Sequence, residues 1–217
     1  MYEFISGPLM WVTFFVFVGG SCFKFGWFFW LAKQDKPVFP RMGLKYSPRS
    51  FWNWIVNFFK TNFKKRPFLT LITVIFHLCL IITPVFLYSH IVLWYQAWDI
   101  TWWALPDNIS DIMTWIVIVC SLFFLFRRLF LTEVKYVNSF FDYVLIVLVI
   151  APFITGLAAY HQWFLYETMV IAHILSGQLF LMILPFSRLG HMLFIFFTQA
   201  YMGSEFEAVR IAQKNKK

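Results

Sequence analysis

The sequence has 217 residues, of which 61% are hydrophobic and only 13% are charged. Soluble globular domains typically contain about 45–50% apolar and about 25% charged residues, so this composition excludes an ordinary water-soluble domain and favours a chain that lies in a bilayer. The net charge of +8 could indicate nucleic-acid binding. The charged residues instead cluster in particular loops between apolar segments, which is the pattern that reports membrane topology.

Five apolar segments are long enough to cross a bilayer, which requires about 20 mainly apolar residues. They are residues 9–32, 67–95, 112–131, 140–160 and 167–201. The predicted fold class is an all-α membrane protein, a five-transmembrane-helix bundle that forms a single membrane domain over residues 1–217. The last segment is long for one span, so we expect it to tilt or to continue beyond the hydrocarbon.

The loop charges alternate along the chain and predict its orientation. Basic loops follow the first and third segments, an acidic loop with Asp99, Asp107 and Asp111 follows the second, and a basic tail follows the fifth. By the positive-inside rule, the N-terminus is outside and the C-terminus is cytoplasmic.

Residues 50–65 of the first basic loop have polar and apolar residues on opposite sides at helical spacing. Asn53, Asn57, Lys60 and Lys64 follow one side, and aromatic and aliphatic residues occupy the other. This pattern predicts an amphipathic helix at the cytoplasmic interface. Its apolar side is suited either to the lipid surface or to a cytoplasmic subunit.

Four histidines fall inside predicted spans, where ionisable residues are rare and usually face the bundle interior or mark function. They are His77 and His90 in the second segment, and His173 and His191 in the fifth. His173 and His191 are eighteen residues apart. On a continuous helix that is five whole turns and about 27 Å, so we expect both to face one buried interior.

The histidines of the second segment are thirteen residues apart. Thirteen residues correspond to about 20 Å and an angular offset of about 140° on a straight helix. Pro84 lies between them, and a proline inside a helix removes a backbone hydrogen bond and bends the helix. We expect this bend to turn both imidazoles toward one partner, and Pro185 to bend the fifth segment similarly.

The opposite directions of the two helices decide how the four histidines pair. His90 and His173 are both expected near the outer face, and His77 and His191 near the inner face. Two histidine pairs at two depths are what two b-type haems require, with His90 and His173 as ligands of the outer iron and His77 and His191 of the inner iron. The alternatives are four buried histidines bonded to backbone groups or polar neighbours, and a haem-free membrane transporter or proton-relay protein.

The run Pro185-Phe186-Ser187-Arg188-Leu189-Gly190-His191, with His173 eighteen residues before it, resembles the gamma subunit of respiratory nitrate reductase. That family has five transmembrane helices and two b haems held by helices two and five. The start of the fourth segment at Asp142-Tyr143 and its Gly156 are also similar to the family. Residues His77 to His90 depart from the nitrate reductase branch, because their spacing is wider.

The stretch from His77 through Pro84 to His90 is more similar to the cytochrome b subunits of sulfate-reducer redox complexes, of the DsrM, HmcE and TmcC type. This resemblance implies electron transfer between menaquinone or a periplasmic multihaem cytochrome c and a cytoplasmic iron–sulfur subunit like that of heterodisulfide reductase. Further membrane subunits are compatible with such a complex, and the resemblance implies a bacterial or archaeal cytoplasmic membrane. The acidic residues Asp99, Asp107 and Asp111 either steer a basic cytochrome c or simply mark the outer face. The chain would be an electron-transfer subunit and not an enzyme by itself.

Several further residues are candidates for a role at a binding site, at the membrane interface or in helix packing. Arg188 either binds a haem propionate or extends to the inner interface. His161 serves a quinone or proton-exchange site, or is a solvated loop residue. Arg127 and Arg128 are interpreted as interface anchors. Gly156 and Gly177 are candidates for close approach by a haem or by a neighbouring helix.

Overall fold

The structure, a computed structural model, describes residues 2–34, 47–132 and 138–199, which are helical with short connections and no β-strand. In chain order the helices are α1 (Tyr2–Ser6), α2 (Pro8–Gln34), α3 (Ser47–Lys65), α4 (Pro67–Phe86), α5 (Tyr88–Trp98), α6 (Asp107–Phe130), α7 (Phe140–Tyr160) and α8 (Tyr166–Ile183). Two 3-10 turns, Leu184–Phe186 and Arg188–Gly190, follow α8, and residues 191–199 are again helical.

Five stretches of this described part are helical, long and apolar enough to cross a membrane. They are Tyr2–Leu31, Pro67–Phe86, Asp107–Phe130, Phe140–Tyr160 and Tyr166–Phe186. The prediction of an all-α chain with five spans is therefore confirmed. The orientation of the termini stays a prediction, and Lys36, Arg41, Lys45 and the basic tail after residue 199 lie outside the described residues.

The second predicted span, residues 67–95, is too long, because the helix breaks at Leu87. Leu87 has extended backbone angles (φ −70°, ψ 127°) and separates α4 from α5. Pro84 lies inside the last turn of α4. A proline was expected to bend this segment, and the structure contains a full interruption three residues after it.

The break is stable because every carbonyl of the last turn of α4 has a hydrogen-bond donor. The last four carbonyls of a helix have no partner within it. Here the carbonyl of Thr83 accepts from the backbone N–H of Leu87. The Pro84 carbonyl accepts a hydrogen bond from His90 Nδ1, and the Val85 carbonyl accepts one from Trp102 Nε1. The Phe86 carbonyl accepts one from the backbone N–H of Leu105. The 99–106 connection therefore closes over the end of α4.

The expectation that residues 167–201 form one continuous helix is wrong. The 3-10 turn Leu184–Phe186, which contains Pro185, follows α8, and Ser187 has extended backbone angles (φ −105°, ψ −178°). The Ser187 hydroxyl accepts a hydrogen bond from the Leu189 N–H at 3.2 Å, which caps the second 3-10 turn. The calculation of five whole helical turns between His173 and His191 therefore does not apply.

The described residues divide into two compact units, and each is described by itself. The first contains the described parts of Met1–Met10 and Phe68–Phe180, and the second those of Trp11–Pro67 and Leu181–Lys217. In the first unit, Ile118 of α6 forms an apolar core with Ile150 and Leu157 of α7. The prediction of a single domain over residues 1–217 stays a prediction.

The start of α7 in the first unit is held by a buried carboxylate. Asp142 is 4% exposed, and its Oδ2 accepts a hydrogen bond from the Ser139 N–H at 2.8 Å, completing a capping box. Arg128 Nη1 lies 3.9 Å from Asp142 Oδ1 and donates to the Asp142 carbonyl at 3.3 Å. Arg128 thus joins the end of α6 to α7, whereas the sequence predicted an interface anchor.

The second unit contains α3, which covers the predicted amphipathic stretch at residues 50–65. Its Phe51 ring packs against Phe196 with centroids 5.1 Å apart, while Trp52 is 65% exposed. Residues 50–65 are thus helical as predicted. Their location at a membrane interface stays a prediction.

Candidate functional site

The first unit brings together His90 of α5 and His173 of α8. Their ring centroids are 6.0 Å apart and their planes differ by 15°. Two metal–imidazole bonds of about 2 Å each, plus about 1 Å from each Nε2 to its ring centroid, would give a centroid separation of about 6 Å. The pair therefore has close to the separation that two imidazoles have when they share one metal ion.

His90 is oriented by the break after α4. Its Nδ1 lies 2.8 Å from the Pro84 carbonyl, six residues earlier in the chain. In an uninterrupted helix that carbonyl would accept from the backbone N–H of residue 88. Because the helix stops at Leu87, the carbonyl is available to the imidazole. The same interruption therefore separates α5 from α4 and fixes the orientation of the His90 ring.

His173 is oriented by α7. Its Nδ1 lies 2.8 Å from the carbonyl of Pro152, a proline inside that helix. Close to it, the Thr155 hydroxyl lies 3.3 Å from the Ser176 hydroxyl, which further joins α7 to α8. A Cβ atom added to Gly156 would lie 2.9 Å from both Cε1 and Nδ1 of His173. The absence of a side chain at Gly156 is what admits the ring.

All four histidines of the predicted sites use Nδ1 in the same way. The Nδ1 of His77 lies 2.7 Å from the Thr73 carbonyl, and that of His191 lies 2.7 Å from the Arg188 carbonyl. A carbonyl oxygen can only accept, so Nδ1 carries the proton in each contact, and Nε2 holds the lone pair of the neutral ring. This arrangement fixes the ring orientation and is the one that metal-ligating histidines usually adopt.

The Nε2 atoms of His90 and His173 make no hydrogen bond with any residue in the described ranges. The fifth histidine differs. His161 Nε2 lies 2.9 Å from Asp111 Oδ1, and its ring stacks on Trp163 with centroids 5.2 Å apart. Since its Nε2 faces a carboxylate, His161 is a hydrogen-bond partner of Asp111 and lacks the arrangement shared by the other four.

The two residues predicted to bind the inner haem iron, His77 and His191, belong to different compact units. His77 is half-buried on α4, with its ring 5.1 Å from that of Phe76. His191 directly follows the second 3-10 turn. Its side chain is exposed in the single chain, whereas the sequence predicted that it would face a buried interior. Arg188 is also exposed, and its backbone carbonyl is the group that positions His191.

The described residues contain no group of three or more His, Cys, Asp or Glu side chains placed to bind a metal ion. A paired-histidine site therefore needs its remaining ligands from another molecule. Chemically, His90 and His173 supply two neutral nitrogen donors on opposite helices. Such a pair would hold a metal ion whose remaining ligands come from another molecule.

Sequence reasoning missed Pro152, Thr155 and Ser176, which position His173. Pro152 is visible as a proline inside an apolar span, but its partner depends on how α7 and α8 pack. Of the two glycines proposed for close approach, Gly156 contacts His173, whereas a Cβ at Gly177 would meet no atom within 4 Å.

Comparison with known proteins gives one informative relative. No protein-family model matches the sequence, and no solved structure matches it. A protein of Nitratidesulfovibrio vulgaris (strain Hildenborough), described only as "Protein", is 30% identical over 217 residues, which cover 97% of this chain and 95% of that protein. The match extends over both compact units. The chain therefore belongs to the same family as this Nitratidesulfovibrio vulgaris protein.

Proposed function

We propose that this chain is a di-haem cytochrome b membrane subunit of a respiratory redox complex. It relays electrons across the membrane between menaquinone or a periplasmic multihaem cytochrome c and a cytoplasmic iron–sulfur subunit of the heterodisulfide reductase type. The outer haem is held by His90 and His173, and the inner haem by His77 and His191. The chain is not catalytic alone, because the reactions at both ends belong to its partners.

The observation that carries this proposal is the separation of 6.0 Å between the rings of His90 and His173. They come from helices far apart in sequence and are nearly parallel, at 15°. The separation agrees with the value of about 6 Å that two metal–imidazole bonds would impose. The chemical feature that supports metal binding is that both rings donate Nδ1–H to a carbonyl, which leaves the Nε2 lone pair of each neutral ring available to a metal ion.

The protein's own contribution is to orient and hold the ligands. The Pro84 and Pro152 carbonyls accept the Nδ1 protons, which makes each imidazole a better donor through Nε2 and prevents rotation of its ring. Haem bound by two imidazoles supplies one-electron transfer.

The inner site is proposed from His77, His191 and Arg188. Both histidines donate Nδ1–H to a carbonyl within their own segment, so each has the same preset tautomer as the outer ligands. Arg188 is the proposed partner of a haem propionate, because a guanidinium binds a carboxylate through two parallel hydrogen bonds. The break at Pro185 supports this role by making residues 184–190 independent of the helical repeat.

The relative adds support for the branch of the family. It comes from a sulfate-reducing bacterium, and the cytochrome b subunits that the second segment resembles belong to sulfate-reducer redox complexes. We accordingly place the chain in the bacterial cytoplasmic membrane, with its N-terminus outside and α3 at the cytoplasmic interface. Sulfate respiration is the anaerobic process that this assignment implies.

An absorption spectrum of the purified full chain tests the proposal. The chain would be extracted from membranes in mild detergent, and its spectrum recorded before and after dithionite reduction. We expect the sharp reduced alpha band of low-spin b haem. A folded preparation without haem that carries protons or ions in liposomes would contradict the proposal and favour the transporter alternative.

A further inference from the structure

An open groove lies between the beginning of α4 and the end of α6, within the first unit. Its volume is about 330 Å³. It is lined by Leu69, Phe123, Phe126, Arg127, Phe130 and Leu131. Five of these six side chains are apolar, and the sixth carries a permanent positive charge. A groove of this composition is suited to an amphipathic anion.

The charge in the groove has no counterion in the described part of the chain. Arg127 is half-buried, and its guanidinium makes no hydrogen bond or ion pair with any residue in the described ranges. The neighbouring Arg128 is bound to Asp142. The two adjacent arginines thus differ: one joins two helices, while the other presents its charge to an apolar groove. A partly buried charge is unfavourable unless an opposite charge pairs with it.

We propose that this groove binds one anionic phospholipid, with the phosphate on Arg127 and an acyl chain along the apolar lining. A guanidinium matches phosphate geometry through two parallel hydrogen bonds. Phe126 and Phe130 stack with centroids 6.0 Å apart, and Phe130 is 77% exposed, so a broad aromatic surface is open to a lipid chain. This site is independent of the histidines and of the proposed haems.

The position of the groove favours a lipid over a soluble anion. It lies at the ends of two helices that are long and apolar enough to span a membrane, since α4 begins at Pro67 and α6 ends at Phe130. Lys64, Lys65 and Arg66 directly precede α4 in the sequence, so basic residues accumulate at this end of the helix. Basic clusters beside transmembrane helices attract anionic lipids. A neutral quinone would leave the charge of Arg127 unpaired.

Native mass spectrometry of the full chain in detergent tests the proposal. The probes are 1-palmitoyl-2-oleoyl phosphatidylglycerol, the phosphatidylcholine of the same chains, inorganic phosphate and a menaquinone. We expect one phosphatidylglycerol retained about tenfold more tightly than phosphatidylcholine, the ratio that about 1.4 kcal/mol gives. The Arg127→Gln variant should lose this preference, and Arg127→Lys should keep part of it.

Two further variants make the result specific. Lys60→Gln removes one positive charge on α3, outside the groove, and should leave the preference unchanged. Leu69→Trp fills the groove while keeping Arg127, and should reduce retention of phosphatidylglycerol. Unchanged retention in Arg127→Gln would overturn the proposal. So would displacement by millimolar inorganic phosphate, or tighter retention of menaquinone than of phosphatidylglycerol.

Discussion

The imidazole rings of His90 and His173 lie 6.0 Å apart at an angle of 15°, and each donates Nδ1–H to the carbonyl of a proline. Pro84 orients the first ring and Pro152 the second. Both prolines lie inside helices that are long and apolar enough to span a membrane. The helix of Pro84 is interrupted at Leu87, whereas the helix of Pro152 is continuous from Phe140 to Tyr160.

Replacement of His173 by alanine should remove the outer haem and leave the inner one. The substitution deletes one of two axial ligands, and a b-type site with a single imidazole loses its low-spin character. The haem content measured by the pyridine haemochrome method should fall by about half. His161→Ala is the matched control, because His161 is bonded to Asp111 and should leave haem content unchanged. Equal haem in both variants would refute the assignment of ligands.

Gly156→Ala should perturb the outer haem without touching a ligand. The new Cβ would lie 2.9 Å from the His173 ring, so the ring must move. Ligand positions usually tolerate only about 0.5 Å of displacement, so we expect at least about a twofold loss of outer-haem occupancy. The reduced alpha band gives the measurement.

The control for this experiment is Gly177→Ala on α8. A Cβ at this position meets no atom within 4 Å. Replacement of a helical glycine by alanine commonly stabilises by about 0.5–1 kcal/mol. Haem content should therefore stay the same and the Tm should rise slightly. A Gly177→Ala variant that loses as much haem as Gly156→Ala would show that the His173 contact is not the cause.

The five spans were predictable because apolar length alone identifies a helix that must satisfy its own backbone in lipid. The breaks were only partly predictable. Pro84 and Pro185 indicated bends, but the interruption falls at Leu87, where Trp102 and Leu105 donate to the exposed carbonyls. These donors come from a loop that has no helical or strand periodicity, so no sequence pattern locates them.

The candidate site, like the fold, could be predicted from the sequence only in part. Depth order along antiparallel helices predicted that His90 and His173 would be neighbours, and the structure brings them together. The contact of His173 with Pro152 joins residues on two different helices, so it depends on the rotation of α7 relative to α8. The pairing of His161 with Asp111 likewise joins residues 50 positions apart. Helical spacing within one segment contains no information about such contacts.

Trp102→Phe should destabilise the fold by about 0.5–1 kcal/mol, because it removes the indole N–H that donates to the Val85 carbonyl at 3.0 Å. The thermal unfolding midpoint in detergent should fall. Trp103→Phe is the control, since Trp103 contributes a ring stacked on Phe86 with centroids 4.5 Å apart, and phenylalanine keeps that ring contact. A larger decrease for Trp103→Phe would contradict the role given to the indole N–H.

Arg128→Gln should lower stability by about 1 kcal/mol, whereas Arg127→Gln should have little effect on Tm in lipid-free detergent. Arg128 is bonded to Asp142, which is buried at the start of α7, but Arg128 is itself about one-third exposed, so solvent screens the ion pair. Differential scanning fluorimetry of both variants gives the comparison. Equal midpoints for the two variants would show that the Arg128–Asp142 contact contributes nothing measurable.

The haem-to-chain ratio of the purified full chain tests the central claim most directly. Haem would be measured by the pyridine haemochrome method and protein by quantitative amino-acid analysis of the same sample. Two bis-histidine sites require two b haems per chain. A ratio near two that falls to near one in His173→Ala is the result we expect. A folded, colourless chain with a ratio near zero would contradict the assignment of His77, His90, His173 and His191 as haem ligands.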